Sequence, residues 1–234
     1  MFIPLKDENP TRNKPIATFV LIVINCLVYF YSITLQGNGF QIFMYQFGLI
    51  PTEIFHLSEL TPNYPSPVLL SPFTSMFLHG GFMHLAGNML YLWIFGNNIE
   101  DQLGPFKFII FYLISGLAAA FLFVAFSPSS EIPMVGASGA IAGILGGYLV
   151  LFPRARVLTL MFLFYFIRMI YLPAKVVLGF WFVYQIIMTV FSAGSSGGGV
   201  AWLAHVGGFA FGYLWFKFLS KRRLKKWQSK VYSD

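Results

Sequence analysis

Three separated pieces of the chain place polar side chains inside segments that are otherwise almost entirely apolar. Ser138 lies in a Gly-Ala-Ser-Gly stretch, His205 comes much later in the chain, and His84 and Asn88 stand four residues apart. A serine hydroxyl needs an adjacent base, usually histidine, to act as a nucleophile at neutral pH. A histidine in hydrocarbon is costly and therefore marks a candidate functional site. Together these residue types predict a hydrolase that works inside a lipid bilayer.

The charged residues predict a Ser–His dyad rather than a triad. Glu100 follows His84 by 16 residues, which is roughly 24 Å along a helix, so it is too far away to orient a histidine near Ser138. Asn88 and His84 share one helix face and could donate hydrogen bonds to an oxyanion, together with the backbone N–H of Ser138.

Each of these residues also has an ordinary structural explanation when it is taken singly. A serine in a membrane helix commonly bonds to the preceding turn of that helix, and an asparagine often links two helices. His79, at the edge of the preceding loop, is expected to shape that loop around His84. The hydrolase hypothesis therefore depends on the residues meeting at one place.

Composition indicates a membrane protein. The chain has 234 residues, of which 57% are hydrophobic and only 10% are charged, whereas a soluble domain carries about 25% charged residues. The fifteen Lys and Arg residues against eight Asp and Glu residues give a net charge of +7. A basic chain could bind nucleic acid, but that function requires a polar, solvated fold. No nucleic-acid partner is therefore expected.

Apolar stretches of about 20 residues cross a bilayer as helices, and the sequence offers six of them. We expect an all-α, polytopic membrane protein with a bundle of six transmembrane helices and a single domain over residues 1–234. The predicted spans are residues 15–35, 82–96 with their flanks, 106–126, 133–152, 173–191 and 199–219.

The distribution of basic residues supports six spans rather than seven. No Lys or Arg falls within residues 36–81, 127–134 or 192–200. With six spans every basic residue lies on one side, which the positive-inside rule makes cytoplasmic. Residues 1–14 and the basic tail at 220–234 are then cytoplasmic, and the expected location is the plasma (inner) membrane.

The same topology predicts where the remaining segments lie. The short apolar run at residues 157–167 is expected to be interfacial or partly re-entrant, with Arg154 and Arg168 at the headgroups. The long loop at residues 36–81 is placed outside, and its prolines exclude a long helix. The Gly/Ser-rich loop at residues 192–200 is either a simple connector or a flexible gate beside the site.

Depth and small residues bring the polar groups together. Counted from the outer ends of their spans, all four groups lie roughly 3–10 Å below the outer surface, and therefore at a similar depth. Gly139 and Gly143 in the fourth span, and Gly208 and Gly212 in the sixth, allow close approach of two membrane helices. We therefore expect Ser138 to lie within reach of His205.

Three motifs resemble those of the rhomboid family of intramembrane serine proteases. They are HGGFMHLAGNMLYLWIFGNNIEDQLG at residues 79–104, GASGAIAG at 136–143 and AHVGGFAFG at 204–212. The resemblance implies Ser138 as the nucleophile, His205 as the general base, and His84 with Asn88 at the oxyanion and substrate-binding site. It also implies cleavage of single-span membrane proteins near the outer end of their transmembrane helix.

The chain departs from the family pattern in three places. Family members commonly carry an aromatic residue four positions after the serine, where this chain has Ala142. Either another group, such as the aromatic Trp181 or Phe182, holds the imidazole instead, or the base is less well oriented. A Trp-Arg pair in the first loop is missing, and the segment at residues 157–167 is additional. These departures keep open a non-catalytic rhomboid-like protein that binds membrane clients.

Partners and cofactors follow from this chemistry. The expected partners are transmembrane protein substrates and membrane lipids, and neither a cofactor nor a metal is expected. A transporter or channel is disfavoured because the sequence has no internal repeats and no charged residues at mid-membrane. The substrate, the pathway and the oligomeric state do not follow from the sequence.

Overall fold

A computed structural model describes residues 2–58, 68–163, 166–192 and 201–231, and it describes side chains in these ranges except at 162–166 and 220–231. This part of the chain is mostly helical, as predicted. The helices are α1 (Ile16–Ile33), α2 (Gly39–Phe47), α3 (Pro51–His56), α4 (Ser71–Thr74), α5 (Phe82–Tyr91), α6 (Asn97–Leu103), α7 (Pro105–Phe126), α8 (Ser138–Leu151), α9 (Ala174–Ser192) and α10 (Trp202–Val231).

Three of these helices, α1, α7 and α9, are long and apolar enough to cross a membrane. Helix α8 is apolar but shorter. The second predicted span is a segmented helix, in which a π-helical turn (Leu92–Gly96) separates α5 from α6. Single π-helical turns inside helices are frequent at functional sites.

Helix α8 forms the centre of the helical assembly. Every residue from 139 to 148 is buried, and α7 and α10 pack against this helix. By contrast, α9 exposes large apolar side chains along its length, including Val183, Ile187 and Phe191. An apolar surface of this kind is stable against lipid rather than water.

A three-stranded antiparallel sheet was not predicted. Its strands are β1 (Phe2–Asp7), β2 (Arg156–Leu163) and β3 (Phe166–Pro173), in the order β1-β2-β3. Phe2 pairs with Met161, and Arg156 pairs with Pro173. The all-α prediction is therefore wrong for residues 2–7, 156–163 and 166–173. The segment predicted to be interfacial forms two paired strands, and the N-terminal strand pairs with the first of them.

The sheet is tied to the ends of the helices by Asp7. Its carboxylate oxygen Oδ2 accepts a hydrogen bond from the Tyr148 hydroxyl at 2.7 Å and one from Nδ2 of Asn98 at 2.9 Å. Burial raises the pKa of Asp7 above its ordinary value, although these hydrogen bonds act in the opposite direction. Strand β1 thus contacts both α6 and α8.

The loop at residues 36–81 contains only short helices where it is described. Pro51 begins α3 and Pro72 lies in the first turn of α4, as expected because proline lacks the N–H that a helix interior needs. The loop also reaches the segment before α8, since Leu49 and Met134 form an antiparallel bridge. The loop predicted at residues 192–200 falls, from residue 193 onward, outside the described residues.

Candidate active site

Ser138 and His205 are in hydrogen-bond contact. Oγ of Ser138 lies 2.8 Å from Nε2 of His205, which is the geometry that a serine nucleophile and its base require. Ser138 is half-buried and is the first residue of α8, whereas His205 lies near the start of α10 and is 8% exposed. The expectation that these two side chains lie within reach of each other is met.

Glycines bring α8 and α10 close enough for this contact. A Cβ atom at Gly208 would collide with the carbonyl oxygen of Gly139, and one at Gly212 would collide with that of Gly143. The two helices therefore pack backbone against backbone, as the spacing of small residues predicted. A larger residue at either position would force the two backbones to shift.

The other ring nitrogen of His205 has a partner that was not predicted. Nδ1 lies 2.8 Å from Oε1 of Gln185 in α9, and Gln185 is only 3% exposed. The sequence-based prediction named carboxylates and aromatic rings as orienting groups and did not include an amide. The available signal was the single amide side chain within the largely apolar sequence of α9, since a polar side chain inside a membrane helix is costly and marks a candidate site.

Aromatic rings flank the imidazole of His205. The Trp181 ring lies 5.9 Å away at an interplanar angle of 34°, and Trp202 approaches edge-on at 6.1 Å and 89°. Of the two aromatics considered from the sequence, Trp181 therefore contacts the imidazole. Phe182 instead stacks on Phe209 at 4.2 Å. The fully buried Ala142 leaves the family's usual aromatic position without a ring.

His84 and Asn88 lie beside the segment that leads into Ser138. A Cβ atom at Gly136 would come within 2.8 Å of Nε2 of His84 and 3.6 Å of Nδ2 of Asn88. The side chain of His84 is exposed, whereas that of Asn88 is buried. Both predicted oxyanion residues thus lie beside Gly136, two residues before the serine.

His79 has the structural role that was expected. Its Nε2 lies 2.9 Å from Nδ2 of Asn88, and its ring meets that of His84 edge-on at 5.1 Å. His79 is fully buried. It therefore fixes the amide of Asn88 and supports the ring of His84.

Two further contacts hold the segment before Ser138. The N–H of Gly136 donates to the carbonyl oxygen of Ser75 at 2.9 Å, and the N–H of Leu49 donates to that of Met134 at 3.0 Å. Gly136 has a φ of +126°, a backbone conformation that favours glycine. The long first loop therefore braces the turn that presents Ser138 at the start of α8.

The carboxylates of Glu100 and Asp101 are engaged elsewhere in the fold. Glu100 accepts hydrogen bonds from the first turn of α1, and Asp101 accepts them from the backbone of Arg12 and Asn13. Glu131 lies exposed in the loop before α8. Within the ranges that the structure describes, no group of three or more His, Cys, Asp and Glu residues is arranged to hold a metal.

Comparison with known proteins identifies the family. The Rhomboid domain model matches residues 68–222, and this chain belongs to the rhomboid family. It is 31% identical over 163 residues to Rhomboid protein 1, mitochondrial, of Saccharomyces cerevisiae, covering 67% of this chain and 44% of that protein. It is 34% identical over 143 residues to Rhomboid protease AarA of Providencia stuartii, covering 54% and 47%.

Another bacterial relative is Rhomboid protease GluP of Bacillus subtilis, which is 32% identical over 138 residues, or 59% of this chain and 25% of that protein. The chain spans between a quarter and just under half of the length of these relatives. The family and the apolar helices together make this a membrane protein. The relatives include mitochondrial and chloroplastic proteins as well as bacterial ones.

Proposed function

We propose that this protein is an intramembrane serine endopeptidase that hydrolyses peptide bonds of single-span membrane proteins. The observation that carries the proposal is the 2.8 Å contact between Oγ of Ser138 and Nε2 of His205. His205 removes the hydroxyl proton as Ser138 attacks the scissile carbonyl carbon, and it then donates that proton to the leaving amine. A water molecule, activated by the same histidine, hydrolyses the resulting acyl-enzyme.

The oxyanion of the tetrahedral intermediate would lie between the start of α8 and α5. The first N–H groups of a helix have no partner within that helix, and Ser138 is the first residue of α8. Asn88 and His84 lie next to Gly136, two residues earlier in the chain. These donors would stabilise negative charge as it develops on the carbonyl oxygen.

We further propose six membrane crossings, made by α1, the α5–α6 segment, α7, α8, α9 and α10. Strand β1 before α1 pairs with β2 after α8, which requires an even number of crossings between them and is consistent with four. The absence of Lys and Arg from residues 36–81 and 127–134 favours cytoplasmic termini in the inner membrane. The chain is then one domain, with its site near the outer surface.

Cleavage of a reconstituted single-span substrate tests the proposed function. Ser138→Ala and His205→Ala should each abolish cleavage, while Ser129→Ala, at an exposed serine in the loop before α8, should cleave like the wild type. A fluorophosphonate probe should label the wild type and leave Ser138→Ala unlabelled. Cleavage retained by Ser138→Ala would overturn the proposal. A wild-type protein that binds clients but neither cleaves nor reacts with the probe would instead be the non-catalytic alternative.

A further inference from the structure

We propose that Gln185 is the positioning residue for His205, in the place that an aspartate holds in a Ser-His-Asp triad. This inference rests on the proposed protease function. It assigns to α9 a direct part in organising the dyad formed by α8 and α10.

The hydrogen bonds of Gln185 define the orientation of its amide. Nε2 of Gln185 donates to the carbonyl oxygen of Trp181 at 3.2 Å, since a carbonyl can only accept. Oε1 is then left to face Nδ1 of His205 at 2.8 Å. An amide oxygen can only accept, so Nδ1 of His205 must carry the proton.

This arrangement selects the tautomer that catalysis requires. With its proton on Nδ1, neutral His205 presents the lone pair of Nε2, which lies 2.8 Å from Oγ of Ser138. The Trp181 and Trp202 rings restrict the plane of the imidazole, but aromatic rings do not choose between tautomers. Gln185 supplies that choice.

A neutral amide differs from the carboxylate of a triad in one respect. Both accept the Nδ1 proton, but only the carboxylate adds a negative charge that stabilises the imidazolium form. Among the described side chains, the hydrogen-bond partners of the His205 ring, Gln185 and Ser138, carry no charge, and the titratable group whose charge would influence His205 is another histidine, His84. Gln185 should therefore govern the orientation and tautomer of His205 with little effect on its charge.

Two substitutions separate these effects. Gln185→Leu removes the acceptor at nearly constant volume, and we expect kcat to fall by about 10- to 100-fold with an unchanged KM, because the side chain lies behind His205 and away from the substrate. Gln185→Glu keeps an acceptor and adds charge, so the acidic limb of its pH–rate profile should move to higher pH. Ile186→Leu, at an exposed neighbour in α9, is the matched control.

Nitrogen-15 NMR of histidine-labelled protein provides a readout that does not depend on activity. The wild type should show His205 protonated at Nδ1, assigned by the loss of that signal in His205→Ala, and Gln185→Leu should show a mixture of tautomers. Thermal unfolding verifies that each variant is folded. If Gln185→Leu does not fold, the pH–rate profile of Gln185→Glu tests the positioning role instead.

Wild-type kcat together with an unshifted tautomer signal in Gln185→Leu would overturn the inference. A pH profile of Gln185→Glu that overlays that of the wild type would also overturn it. If the wild type cleaves, Ser138→Ala does not, and Gln185→Leu remains fully active, the positioning role fails and the protease function stands. Loss of the protease function itself would be seen as equal cleavage by the wild type and Ser138→Ala.

Discussion

Glu100 and Thr18 are joined by two hydrogen bonds to a single carboxylate oxygen. Oε2 of Glu100 accepts the backbone N–H and the hydroxyl of Thr18, both at 2.7 Å, while Oε1 accepts the N–H of Ala17 at 2.9 Å. The first N–H groups of a helix need such external acceptors, and the helix dipole favours negative charge there. Glu100 thus fixes the start of α1 against α6.

Glu100→Gln should destabilise the protein. An amide has one oxygen and one NH₂ group, so it cannot accept all three of these hydrogen bonds, and we expect a loss of about 1–3 kcal/mol in the free energy of unfolding. Thermal unfolding in detergent measures it. Glu131→Gln, at an exposed loop position, serves as the control. Equal unfolding temperatures for the two variants would refute the anchoring role of Glu100.

Gly136→Ala should impair catalysis more than it impairs folding. Alanine is strained at a φ of +126°, and its Cβ would press against Nε2 of His84. We expect the turn before Ser138 to shift, and kcat for substrate cleavage to fall by about 10-fold or more, because a small displacement of reacting groups is costly. Gly87→Ala, on α5 with open space around its Cβ, is the control, and equal rates for the two variants would count against this prediction.

Gly212→Ala tests the contact between α8 and α10. The added methyl group would overlap the backbone at Gly143, and overpacking of this kind costs about 1–3 kcal/mol. The unfolding temperature and the rate of cleavage should both decrease, since the helices carry Ser138 and His205. Gly179→Ala in α9, where a Cβ meets open space, should leave both unchanged. An unaltered Gly212→Ala protein would show that the two helices tolerate separation.

Asp7→Asn should change how stability depends on pH. Burial raises the pKa of Asp7 in the folded protein above its ordinary value of 3.8, so the folded state holds the proton more tightly than the unfolded state does. Stability contributed by this group therefore decreases as pH rises from about 3.8 through the folded-state pKa. Asparagine still offers a side-chain oxygen to the hydroxyl of Tyr148, and its side chain does not titrate.

Denaturation of the wild type and Asp7→Asn at several pH values measures the difference. As pH rises through that window, the stability of the variant should increase relative to that of the wild type. At higher pH the difference in their free energies of unfolding should stay constant. If the variant's stability relative to the wild type is the same at all pH values, or increases toward acid, the raised pKa of Asp7 is contradicted. Glu131→Gln, which removes a carboxylate at an exposed loop position, is the control for a change of net charge.

Sequence reasoning anticipated the meeting of Ser138 and His205 because two independent patterns pointed to it. Their depths in the predicted spans agreed, and glycines at the spacing of one helix face, such as Gly208 and Gly212, required a close partner. Such patterns are local in the sequence and can be recognised without knowing the fold. The contact of Trp181 with His205 was anticipated from the family resemblance instead, because Ala142 stands where family members commonly carry an aromatic residue.

The sheet and Gln185 were missed for different physical reasons. The apolar run that begins at Val157 is too short for its hydrophobic periodicity to distinguish a strand from a helix. Its partner β1 is far away in the sequence, at the start of the chain. Nothing in the residues near Phe2 indicates a pairing with Met161. Gln185 was not predicted because its distance from His205 depends on how α9 packs against α10.

The pairing of β1 with β2 has a consequence for biogenesis. During translation Phe2 leaves the ribosome long before Met161, its partner in the sheet, and at roughly 5–20 residues per second the delay is on the order of ten seconds or more. Throughout that interval β1 has an unsatisfied edge, which is prone to pairing with other chains. Every helix from α1 to α8 must therefore be synthesised before the newborn polypeptide can pair these two strands.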